Sequence, residues 1–218
     1  MSELNVDTIN EQTSANGVTI DGVKLKDNVL LTDTISESTS AAGVTIDGLL
    51  IKDGAIPSIS GGKILQVVQG EFTSTTSGVN EIASPVDVGL SASITPSSAS
   101  NKVLVLVNIG LLGWNQDTVW AIQLVRASTT IGTGAASSTR IPIHAGGGHT
   151  DHSTWQSTSV AGMYLDSPNT TSATTYKVQY GGNGAATLYI NRNERDHTNS
   201  NDEDIRAIST ITLMEVSA

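Results

Sequence analysis

Two stretches carry side chains able to do chemistry. His149-Thr150-Asp151-His152, with Trp155 just beyond, sets two imidazoles three positions apart around a carboxylate. Such a group holds a divalent metal only if two more ligands converge on it. Gly-rich polar loops also produce clusters of this kind without a ligand, so no metal and no cofactor is assigned. The second stretch, Arg192, Glu194, Arg195, Asp196 and His197, runs on to Asp202-Glu203-Asp204. Carboxylates at that density can chelate calcium, but the spacing and central glycine of an EF-hand loop are missing. The run reads as a solvated loop and, together with Asn169, as the candidate contact for a receptor. Catalysis has little to stand on. Gly-x-Ser-x-Gly and Walker patterns are absent, and Gly146-Gly147-Gly148 precedes no helix that would cradle a phosphate. The chain is read as a binding protein and not as an enzyme.

The elements that must position these residues are strands. Hydrophobic residues make up 38% of the 218, charged residues 15% and aromatics 4%, with much Ser, Thr and Gly. No segment sustains an apolar period of 3.6. Strand-like runs instead follow one another at short intervals: 63–72, 85–95, 102–112, 118–128, 140–144, 155–165, 174–181, 185–193 and 205–217, with a weaker one at 78–84. Many short strands separated by Gly and Ser/Thr clusters predict an antiparallel, jelly-roll-like β-sandwich of about ten strands. Val103–Val107 is apolar throughout and reads as a central strand covered on both faces. The Gly/Pro/Ser cluster at 55–62 marks a linker, which divides the chain into an N-terminal region, 1–54, and a sandwich domain, 63–218.

Charge and composition exclude several partners. A net charge of −10 opposes a phosphate-binding surface and a polybasic membrane contact, so neither nucleic acid nor membrane insertion is expected. "MSELNVDTINEQ" has neither the basic start nor the apolar run of a secretory signal. Cysteine is absent, which removes disulfides and thiolate chemistry and leaves packing or assembly to supply stability.

The N-terminal region is written twice. Asp7–Asp27 and Asp33–Asp53 share 15 of 21 positions without a gap. A fixed period in this range marks a repeated supersecondary unit. Each copy holds an Asp-Gly pair between apolar alternations, the signature of a two-residue hairpin turn. That turn sets Ile20 opposite Val23 and Val18 opposite Leu25, and in the second copy Ile46 opposite Leu49 and Val44 opposite Ile51. All four side chains of a copy then share one face. A lone two-stranded hairpin is marginal in water, and four aliphatic side chains recover only part of the backbone entropy lost on ordering the unit. The hairpins therefore need partners, and copies from sister chains facing a common axis provide them.

"LNVDTINEQTSANGVTIDGVKLKDN" resembles the N-terminal repeats of tail-fibre and related virion proteins of tailed bacteriophages, particularly those of cyanobacteria and other aquatic bacteria. The resemblance covers residues 4–54. It implies a homotrimeric stalk that docks on other virion proteins through its N-terminus, in a protein made in the host cytoplasm. The run "DSPNTTSATTYKVQ" and the closing "STITLMEV" look like phage fibre C-terminal domains, and ten strands that return the C-terminus to the stalk end resemble a trimeric knob of the C1q/TNF fold. Such a knob implies binding to a host-surface glycan or protein. The resemblance does not fix the place on the virion, and the alternative it leaves open is a head fibre, capsid decoration or cement protein, or baseplate protein with no receptor role.

Strand parity predicts where the loops lie. If every strand reverses, 73–77, 96–101, 128–139, 166–173 and 194–204 lie at the end away from the stalk. The segments 114–117, 145–154 and 182–184 then lie at the stalk end. Trp120 reads as core, while Trp114 and Trp155 are expected at subunit contacts near the stalk.

Overall fold

The computed structural model describes residues 44–46, 49–51, 63–149, 155–197 and 204–218. The chain divides into two units between Ser60 and Gly61. In the first, β1 (Val44–Ile46) and β2 (Leu49–Ile51) pair antiparallel, with Ile46 opposite Leu49 and Val44 opposite Ile51. That is the register a two-residue connection dictates. The first copy of the repeat, with Val18, Ile20, Val23 and Leu25, lies outside the described residues.

The second unit is all-β, and its ten strands form one antiparallel sheet folded over on itself. They are β3 (Ile64–Phe72), β4 (Thr76–Glu81), β5 (Val86–Ile94), β6 (Lys102–Trp114), β7 (Thr118–Arg126), β8 (Thr129–Ile131), β9 (Ala145–His149), β10 (Ser157–Asp166), β11 (Thr174–Ile190) and β12 (Ser209–Val216). One layer runs β10-β6-β12-β3. The other runs β5-β11-β7, with β8 and β9 in line along the far edge of β7. Alternation sends one face of each strand inward. Val88, Leu90 and Ile94 of β5 meet Val103, Val105, Val107 and Ile109 of β6, Tyr176, Val178 and Tyr180 of β11, and Ile211 and Leu213 of β12.

Two short links do not reverse the chain. β4 and β5 both run antiparallel to β11, and so do β6 and β7. Residues 82–85 and 115–117 are thus corners where a strand passes from one layer to the other. β11 passes the same corner as one strand with shifted register at Gly182–Thr187, where a Gly-Asn-Gly turn between two strands is expected from the sequence. Gly181 shows why glycine stands there: a Cβ would lie 2.5 Å from the Glu81 carbonyl oxygen. The glycines allow close approach at a bend and do not make a turn. Likewise the strand expected at 140–144 falls at Ala145–His149, the glycine run itself, and part of the expected loop 128–139 forms β8.

These corners redistribute the loops. Lys63 and Ala218 share one end with 95–101, 127–128 and 167–173. There Ser217 N donates to Lys63 O at 2.9 Å, Gln66 Nε2 donates to Thr95 O at 2.7 Å, and Arg126 Nη1 meets both Asp166 oxygens at 2.8 Å. The other end gathers 73–75, 82–85, 115–117 and the chain after β11. There Asn191 Nδ2 donates to Phe72 O and Ser74 O at 2.6 and 2.9 Å, and Asn183 Nδ2 donates to Asp117 O at 3.4 Å. The parity expectation therefore fails for 96–101, 166–173, 114–117 and 182–184, for 128–139, which starts at the Lys63 end, and for 145–154, whose strand β9 ends with His149 opposite Thr118 at the other end, since it counts both corners and the bulge as reversals.

Glu215 ties the first end together. It is buried on β12 and accepts from Gln66 Nε2 at 2.6 Å, Ser97 N and Oγ at 2.7 Å, and Asn101 Nδ2 at 2.6 Å. Burial alone pushes its carboxyl up, but the bonds from Gln66, Asn101 and Ser97 outweigh that and hold it at about 2. A depressed folded value contributes stability above the unfolded value, near 4.5, which is lost as pH falls towards 2. Glu215→Gln should lower unfolding free energy by about 1–3 kcal/mol, because it leaves buried donors poorly matched. It should also flatten the acid limb of the melting-temperature profile between those pH values. An unchanged acid limb in the variant contradicts this assignment.

Candidate binding surfaces

At the end opposite Lys63, the charged residues named from the sequence meet one another. Arg192 follows β11, lies 4.3 Å from the Tyr189 ring centroid and donates through Nη1 to the carbonyls of Asn193 and Glu194 at 3.1 and 3.2 Å. Its Nε lies 3.6 Å from Asp196, whose other oxygen is 2.5 Å from Arg206. Arg195 pairs with Asp204 at 3.5 Å and donates to His197 Nδ1 at 3.0 Å. Asp196 sits at φ +40°, a left-handed conformation that short polar side chains tolerate. The structure thus commits Arg192, Arg195 and Asp196 to holding the loop in shape. Asn169, at φ +53°, lies at the opposite end in the turn between β10 and β11, apart from the others.

Beside this loop lies a cleft of about 510 Å³ that the sequence reading did not anticipate. Trp114, Trp120 and Trp155 border it, with the backbone of Gly147-Gly148 and the segment Gln156–Thr158. Trp114 is 5% exposed at the end of β6, and its Nε1–H donates to Gln156 Oε1 at 2.6 Å. Trp120 packs on the core from β7, as expected. Trp155 is 53% exposed, with the Arg195 guanidinium 5.7 Å from its ring centroid. Trp114 and Trp155 are thus at the end opposite Lys63, because 115–117 is a corner. Their convergence has a sequence signal only in hindsight: three tryptophans in an aromatic-poor chain, two of them flanking a glycine run.

A second surface is the outer face of the layer β10-β6-β12-β3. Register places Leu165, Leu104, Met214 and Val67 in one row across the four strands and Met163, Leu106, Thr212 and Gln69 in the next. Met163 is 69% and Val67 57% exposed. The face carries a shallow groove of about 460 Å³ between β6, β10 and β12. One face of the Val103–Val107 run is therefore buried and the other left open in the single chain, where the sequence predicts cover on both.

Asp151 and His152 lie outside the described residues, as does the side chain of His149. Among the described residues no group of three or more metal-ligating side chains converges, and no helix is long and apolar enough to cross a membrane.

No family model and no curated protein matches the chain. Among solved structures, that of infectious bursal disease virus, Gx strain, is similar over 80% of this chain and 46% of its own, at 12% identity and a TM-score of 0.31. The chain thus spans less than half the length of that viral protein.

The glycines of β9 keep the cleft open. A Cβ at Gly147 would lie 2.7 Å from the Trp120 ring. Gly147→Val should cost about 1–3 kcal/mol of stability through that collision and should shift tryptophan emission. An unaltered melting curve and spectrum would show that the strand has room to move.

Proposed function

We propose that this protein is a homotrimeric virion component of a tailed bacteriophage, a tail fibre or spike. Its repeated hairpins form a stalk docked on the particle, and its sandwich binds the host surface. The observation that carries the reading is the duplication of Asp7–Asp27 in Asp33–Asp53, with an Asp-Gly pair between apolar alternations in each copy. Short hairpins need neighbours, and identical ones in sister chains supply them. The apolar rows on β10-β6-β12-β3 favour the same conclusion. Met163, Val67 and Leu165 stand exposed on this face, and contiguous exposed apolar side chains mark interaction surfaces. The row Leu165, Leu104, Met214, Val67 is apolar and the next, Met163, Leu106, Thr212, Gln69, is uncharged, so a second copy of the face is a complementary cover. The occupant we assign is therefore the same face of the sister chains.

Trimers displayed in several copies raise avidity without any new contact, which suits a knob whose single sites are weak. A second reading, a head fibre, capsid decoration or baseplate protein with no receptor, is favoured by the presence of only two serial repeats in the stalk region. Competition with phage adsorption by the purified intact protein separates the two. Inhibition supports a fibre. No inhibition, together with virions weakened by loss of the protein, supports decoration.

Met163→Glu places a carboxylate on the outer face, on its edge strand β10, where three copies covering one another would bring like charges together. Gel filtration of the intact variant should show the trimer shifted towards smaller species, with the fold of each chain kept because Met163 is 69% exposed. Elution identical to the unsubstituted protein would remove this face from the interface.

A further inference from the structure

We propose that the tryptophan cleft is a carbohydrate-binding site for the pyranose rings of a neutral glycan. This rests on the host-binding reading above and gives it a place and a ligand class. All three tryptophans of the chain border this one cleft. Indole rings offer flat apolar faces with a polar edge, which suits the C–H face of a sugar ring whose hydroxyls point outward. The volume, about 510 Å³, falls within the range of small-molecule sites, about 300–1,000 Å³. The three functions such a site needs are divided among its walls.

Trp155, half exposed, is the stacking platform, and Trp120 under Gly147 is the floor. Gly147 lies against the Trp120 ring, where any larger side chain would collide with it, so the indole lines the cleft beside this glycine. Hydrogen bonding falls to Gln156, Ser157 and Thr158. The Trp114 indole only donates, so the Gln156 atom it touches at 2.6 Å is the carbonyl oxygen. That fixes the amide and leaves its nitrogen as the donor to present to hydroxyl groups.

The lining contains no ionisable side chain among the described residues. The nearest cation, Arg195, is engaged with Asp204 and His197. A chain of net charge −10 further disfavours acidic sugars. These features select neutral pyranoses over sialylated or uronic-acid glycans.

The test uses the intact protein and its own tryptophan fluorescence. It is titrated with soluble oligosaccharides ending in glucose, galactose, mannose or N-acetylglucosamine, with sialyllactose as the anionic control. At least one neutral sugar should perturb the emission with a dissociation constant on the order of 1 mM. Trp155→Ala should weaken that binding about tenfold or more at unchanged melting temperature, and Trp155→Phe should restore most of it. Three results overturn the inference: no response to any neutral sugar, equal binding by Trp155→Ala, or attachment to host cells that survives periodate oxidation of their surface sugars. The last would assign the cleft to a protein partner. Competition with adsorption is measured separately. A protein that competes yet ignores every neutral sugar leaves the host-binding reading standing and removes this one.

Discussion

An antiparallel strand has two faces, and one chain of this protein has enough layers to cover only one of them on β10-β6-β12-β3. The inner residues Val103, Val105, Ile211 and Leu213 are fully buried, while the outer rows through Leu104, Leu106 and Met214 run into exposed Met163 and Val67. The β1–β2 pair poses the same problem on a smaller scale, since among the described residues it has no third strand. Apolar surface left in water is costly at about 25 cal/mol per Å². The proposed trimer would cover both sets with sister chains, and the proposed function depends on that cover.

The folded-over sheet also decides what each end can do. Glu215 and the Arg126–Asp166–Tyr176 cluster fasten the end carrying Lys63 and Ala218. Asn191, buried and at φ +63°, fastens the other by bridging β3, the following loop and Ser209. With both ends pinned by buried polar groups, the surfaces at the second end are rigid enough to be specific. Arg192, Arg195 and Asp196 there pair with one another or with Asp204 and Arg206, and Arg195 stands beside Trp155. Uncharged aromatic and amide groups are what remain to meet a ligand.

Side-chain alternation made much of this legible. The strands at Ile64–Phe72, Val86–Ile94, Thr118–Arg126 and Ser157–Asp166 follow from period-two patterning, and Asp-Gly spacing predicts the β1–β2 register. What alternation does not encode is chain direction at a corner. Residues 115–117 read as a hairpin loop, but the strand bends there without reversing. Glycine was the other source of error, since it serves turns and close approach alike. At Gly181 it admits the Glu81 carbonyl, and at Gly147 it admits the Trp120 ring, so a presumed turn and a presumed loop are both strand. The tryptophan cleft was hidden for the same reason, because Trp114 and Trp155 meet only once the corner is drawn correctly.

Native mass spectrometry of the intact chain bears most directly on the central claim. Cover by sister chains requires a single species at three times the 22.6 kDa chain mass. A 22.6 kDa species whose β1 and β2 amides are nevertheless protected from hydrogen exchange would contradict it.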